Sequence, residues 1–199
     1  ASQSSALLAW VREPLWQAVT SYQEATLWEP HNPELWNTLG SVYLELEQPD
    51  RAMAAWSRSR MLNPSQPTLA CQQAGLWAQQ GALDRAVQVY QQALQLDPTC
   101  LQAYDGLGKL WLQGGDLIQA EALFQQAVAV QPEYYGGYWG LGQVWQIQGR
   151  LAEAIAAYQT ALSLAESNPA VLSSLGAALE AADKRQAMLY LAKAALLRR

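Results

Sequence analysis

A chain of 199 residues that is 51% hydrophobic and 15% charged can bury a sizeable core and does not have the composition of a disordered segment. Its 12 Lys and Arg against 17 Asp and Glu leave a net charge of −5, which disfavours nucleic acid as a partner, because backbone binding is driven by clustered basic side chains. No apolar run approaches the roughly 18 residues of a membrane span, and residues 1–12 lack the charged start and long apolar stretch of a signal peptide, so a cytoplasmic protein is expected. The opening Ala-Ser without Met suggests a processed or excised segment, from which a targeting signal could have been lost.

In chain order, residues 1–12 give a short, poorly specified helix, and residues 13–28 a second one carrying Ala18, Tyr22 and Ala25 before Pro30. A pattern then repeats at a spacing of 34 residues. Residues 33–66 carry Trp36, Leu39-Gly40, Tyr43, Ala52, Trp56, Ser59 and Pro64. Residues 67–100 carry Trp77, Ala86, Tyr90, Ala93 and Pro98, with Gln73-Ala74 in place of Leu-Gly. Residues 101–134 carry Tyr104, Leu107-Gly108, Trp111, Ala120, Phe124, Ala127 and Pro132. Residues 135–168 carry Tyr138, Leu141-Gly142, Trp145, Ala154, Tyr158 and Ala161 without the closing proline. Residues 169–197 carry Leu172, Leu175-Gly176, Leu179, Ala187, Leu191 and Ala194, with a turn one residue shorter.

Within 101–114, Tyr104, Leu107, Gly108 and Trp111 fall at i, i+3, i+4 and i+7, one face of an α-helix. A mid-helix glycine costs about 1 kcal/mol relative to alanine, so its recurrence implies a close helix approach. Gly81, Gly115 and Gly149 stand where first helices must end in a left-handed cap, and Pro64, Pro98 and Pro132 stop second helices. Each unit is therefore an antiparallel helix pair that cannot cover its own apolar faces alone. The pattern of large and small residues resembles the tetratricopeptide repeat family. That resemblance implies an all-α, right-handed superhelical solenoid of five to six repeats over residues 1–199 as a single domain, with 1–32 a degenerate first repeat and a concave side that binds peptides.

Nothing in the inventory assembles into catalysis or a cofactor site. His31 is the only histidine and lies between two prolines in a turn. Cys71 and Cys100 lack the CxxC spacing of a metal or redox motif and are expected as reduced thiols. The pairs Gly114-Gly115 and Gly136-Gly137 lack the Lys-Ser/Thr of a phosphate loop. No metal, cofactor or enzymatic activity is therefore expected. Lys184, Arg185, Lys193, Arg198 and Arg199 make the C-terminal end basic, read as a solvated face, and Leu189, Leu191, Leu196 and Leu197 suggest self-association through the last helix.

Of nine tryptophans, Trp36, Trp56, Trp77, Trp111 and Trp145 occupy buried repeat positions, and Trp28 aligns with Leu62, Leu96, Val130 and Leu164. Trp10 and Trp16 pad the N-terminal end. Trp139, directly after Tyr138, is expected to project toward the concave side, as a binding anchor or as helix-edge packing on Tyr104 or Tyr135. The same register puts Asn37, Ser41, Glu45, Cys71, Gln72, Gln79, Asp105, Lys109, Gln113, Gln143, Gln146 and Ser173 on the concave side, an amide-rich set suited to a peptide backbone. The Lys and Asn clamp of chaperone-binding members is not reproduced, since Asn37, Ser41, Gln72, Gln102 and Gly106 stand there. The resulting expectation is a protein-interaction scaffold binding a peptide or partner helix of unknown identity. The alternatives are an accessory region recruiting substrate for a larger enzyme of glycosyltransferase or methyltransferase type, and a self-assembling structural unit.

Overall fold

The computed structural model describes residues 2–182 and Ala195, and the described residues form ten α-helices and no strand. They are α1 (Ser2–Trp28), α2 (Pro33–Glu45), α3 (Pro49–Leu62), α4 (Pro67–Gln79), α5 (Leu83–Leu96), α6 (Leu101–Gly114), α7 (Leu117–Val130), α8 (Tyr135–Ile147), α9 (Leu151–Leu164) and α10 (Pro169–Ala182). Contacts divide the chain into two compact units, Ala1–Leu96 and Asp97–Arg199. The basic cluster and the leucines of the last helix, with the repeat positions Ala187, Leu191 and Ala194, lie outside the described residues.

In the first unit, prolines open α2, α3 and α4 at the one place where a missing N–H is harmless, and Asn32 caps α2 by accepting from the Glu34 N–H at 3.1 Å. The core centres on Trp56 of α3, which is 0% exposed among Leu39, Tyr43, Ala52 and Leu69. Its indole donates to the Asn37 carbonyl at 3.1 Å, and a Cβ on Gly40 would strike its ring. Where later repeats bury alanine, Ser59 is buried instead and donates to the Pro33 carbonyl at 2.8 Å. Gln73, standing where other repeats have leucine, is also buried. Its carbonyl accepts from Arg60 at 2.8 Å, which satisfies the amide in an otherwise apolar place.

Residues 1–28 differ from expectation: the two helices predicted at 1–12 and 13–28 are one, α1, running through Pro14. Glu13 stands where Gly81, Gly115 and Gly149 turn the chain at φ 79, 78 and 78. In the next repeat Glu47 takes this left-handed conformation at φ 59, whereas Glu13 keeps helical backbone into Pro14 and the chain does not turn there.

In the second unit, Phe124 of α7 fills the space left by two glycines, since a Cβ on either Gly108 of α6 or Gly140 of α8 would collide with its ring. Tyr158 of α9 stands likewise over Gly142. Ala120, Ala127, Ala154 and Ala161, all 0% exposed, bring the second helices equally close.

The tryptophans correct the predicted core. Trp56 is buried, but Trp36, Trp77, Trp111 and Trp145 are only half-buried, and Trp28 is 87% exposed. The reason is their place at the rim of each helix pair, where an indole can shed part of its surface and still find polar company. Arg85 lies 5.0 Å from the Trp77 ring centre and Arg150 5.2 Å from that of Trp145. Trp36 donates to the Pro30 carbonyl at 3.1 Å, and Trp145 to Glu121 at 2.8 Å.

Candidate functional site

Helix α6 buries Tyr104, Leu107 and Gly108, which turns Asp105, Lys109 and Gln113 to its opposite, exposed side at i, i+4 and i+8. Helix α8 brings Trp139 and Gln143 to face them. Together these five side chains line a cleft of about 500 Å³ floored by Leu112, Phe124, Gly136 and Gly140. A second cleft of about 520 Å³ is lined by Leu112, Gln113, Gln143, Gln146, Ile147, Tyr158 and Ser174. The two share Leu112, Gln113 and Gln143 and so form one groove over α6, α8 and α10.

The structure thus brings Asp105, Lys109, Gln113, Trp139, Gln143 and Gln146 together along this groove. Helix α10 contributes Ser174, the residue after the predicted Ser173. Trp139 is a wall of the groove more than a projecting anchor: it is half-buried against Ala154, Tyr158 and Leu175, and its indole donates to the Ser174 hydroxyl at 3.0 Å. Gln146 is likewise engaged, accepting from the Tyr158 phenol at 2.7 Å, whose ionisation burial pushes up.

Asn37, Ser41, Glu45, Gln72 and Gln79 belong to the first unit. Ser41 donates to the Asn37 carbonyl at 3.3 Å, and Gln72 and Gln79 are exposed on α4. Cys71 corrects the prediction for that helix: it is 5% exposed, because α4 buries Leu69, Ala70 and Cys71 consecutively.

The feature missed by the repeat register is at the start of α8. Asn32 and Asn168 accept from backbone N–H groups at the starts of α2 and α10, whereas Tyr134, like Gln66 and Cys100 in the equivalent places before α4 and α6, makes no side-chain cap. Its ring folds back over Gly136, where a Cβ would meet the phenol, and its hydroxyl donates to the Asp105 carboxylate. Desolvation pushes the Asp105 carboxyl up from its ordinary value, opposed by this bond. An aromatic residue in a capping position, with glycines two and three residues on, is the signal the sequence carries for this arrangement.

This shift has a testable sign. A carboxyl group whose folded value lies above its unfolded value contributes stability at low pH and loses it as pH rises through the folded value. Asp105→Asn should therefore raise the melting temperature relative to the parent by a margin that grows from pH 4 to pH 7. A margin that shrinks over this range would show the carboxylate to be serving the fold.

Among the described residues no group of three or more His, Cys, Asp and Glu is placed to hold a metal ion, and no helix is long and apolar enough to cross a membrane. What the groove offers is hydrogen bonding from amides, one carboxylate, one ammonium and aromatic walls.

Comparison with known proteins identifies the kind of repeat. Tetratricopeptide repeat models match residues 33–59 and 102–169, and a TPR repeat model matches 78–115. No curated protein matches the chain in sequence. Among solved structures, MamA from Desulfovibrio magneticus RS-1 is similar at a TM-score of 0.70 and 22% identity, over 84% of this chain and 96% of that one. YrrB, described as a TPR protein with an unusual peptide-binding site, has a TM-score of 0.66 and 15% identity over 88% of this chain and 91% of its own. The C-terminal part of a TPR repeat-containing protein from Cytophaga hutchinsonii has a TM-score of 0.74 and 17% identity, over 98% of this chain and 78% of that one.

Proposed function

We propose that this chain, which belongs to the tetratricopeptide repeat family, is a protein-interaction scaffold that binds an extended peptide segment in the groove over α6, α8 and α10. The observation that carries the reading is the line of amides at Gln113, Gln143 and Gln146 across two continuous clefts. An amide donates and accepts, so it pairs with a peptide backbone whatever the sequence, and the apolar floor of Leu112 and Phe124 receives side chains. The peptide-binding site ascribed to YrrB, a protein of the same fold, supports the reading.

Peptides selected on the whole chain from a random display library provide the test. Gln113→Ala with Gln143→Ala should weaken them by about tenfold, two lost hydrogen bonds of about 0.5–1.5 kcal/mol each, with the melting temperature unchanged. Gln146 is left intact because of its bond to Tyr158. Selected peptides that bind this double variant as tightly as the parent would place the peptide site elsewhere.

A further inference from the structure

The Asp105 end of the groove is built differently from the rest. Its carboxylate lines the cleft between α6 and the start of α8, receives a hydrogen bond from Tyr134, and makes no ion pair among the described residues. An exposed carboxylate that accepts a single hydrogen bond keeps acceptor positions open for a cationic group.

Helix α8 carries Gly136 and Gly137 in its first turn, and the room they leave lets the Tyr134 ring fold over towards Asp105. Asp105 and Tyr135 line both the 500 Å³ cleft and an adjoining one of about 730 Å³, to which Glu133 contributes a second carboxylate. Tyr135 is half-buried, its ring centre 6.2 Å from that of Tyr134, and Trp139 forms the wall beyond.

We infer that this end of the groove is a subsite for a basic side chain, arginine or lysine, of the bound segment, an assignment that rests on the peptide-groove reading above. The charged head meets the Asp105 carboxylate, the stronger kind of hydrogen bond because both partners are ionised. The aliphatic stem lies against Tyr135 and Trp139, whose rings also attract a cation. Lys109, one helical turn from Asp105, is exposed and leaves the carboxylate unpaired. The net charge of −5 favours a basic partner at longer range.

The test uses the whole chain and fluorescein-labelled heptapeptide pools, randomised at every position except the centre, which is arginine, lysine, citrulline or glutamate. By anisotropy the arginine and lysine pools should bind about tenfold more tightly than the citrulline pool, which has nearly the shape of arginine without its charge, and more tightly still than the glutamate pool. Asp105→Asn, which keeps an acceptor for Tyr134, should abolish that preference, and added salt should shrink it. If citrulline and arginine pools bind alike and Asp105→Asn changes neither, while Gln113→Ala with Gln143→Ala weakens all pools, the basic subsite is wrong and the groove reading stands. If no pool binds the parent chain, both fall.

Discussion

Trp56→Ala is expected to cost about 3–5 kcal/mol, the range for deleting a fully buried large aromatic, and to be the most damaging single truncation in the first unit. The ring is 0% exposed, spans the space between α2 and α3, and fills the room left by Gly40. Its loss also removes the indole hydrogen bond to the Asn37 carbonyl, made at 3.1 Å. Trp77→Ala, at the rim, provides the contrast: its half-exposed ring rests beneath Arg85, so its removal leaves a notch that water can fill. Thermal unfolding followed by circular dichroism should separate the two variants clearly. Equal losses would mean that the rim tryptophans carry as much of the core as the buried one.

In the second unit the largest effect is expected from overpacking. Gly108→Ala adds a single methyl group where the Phe124 ring already lies, and crowding of this kind costs typically about 1–3 kcal/mol. The same ring closes over Gly140, so it cannot retreat from α6 without moving into α8. The second repeat shows what relief requires: Ala74 stands in the glycine's place there, and the neighbouring Gly75 leaves the Tyr90 hydroxyl 3.6 Å from where its Cβ would be. Phe124→Leu should accordingly rescue Gly108→Ala in part, the double variant losing less than the sum of the single losses. Additive losses would show that the glycine serves the helix backbone and not the ring.

Much of the fold follows from chemistry local to the chain. The prolines and glycines punctuating each 34-residue unit place helix ends where the structure has them. A glycine and the aromatic residue that closes over it, as in Gly40 and Trp56, Gly108 and Phe124, or Gly142 and Tyr158, lie in adjacent helices joined by a short turn. Their meeting depends only on helical periodicity and on that turn, both of which are readable along the chain. The exposed rows Asp105, Lys109, Gln113 and Gln143 follow from the same periodicity, being the side of each helix opposite the apolar stripe.

The rest was decided by contacts over longer separations, where the angle and offset between helices matter and periodicity is silent. Whether a tryptophan at a repeat position is core or rim depends on how far its neighbouring helix reaches over it, and so Trp56 is covered while Trp77 and Trp145 meet arginines at the edge. The bond from Trp139 to Ser174 crosses 35 residues, one more than the repeat period that pairs Trp139 with the predicted Ser173. Tyr134 reaches Asp105 across 29 residues only because Gly136 leaves room for its ring, a steric fact about three side chains that no single repeat contains. Repeat chemistry along the chain thus determined the helix pairs and their packed faces, and tertiary packing determined which polar groups were drawn out of water and brought together.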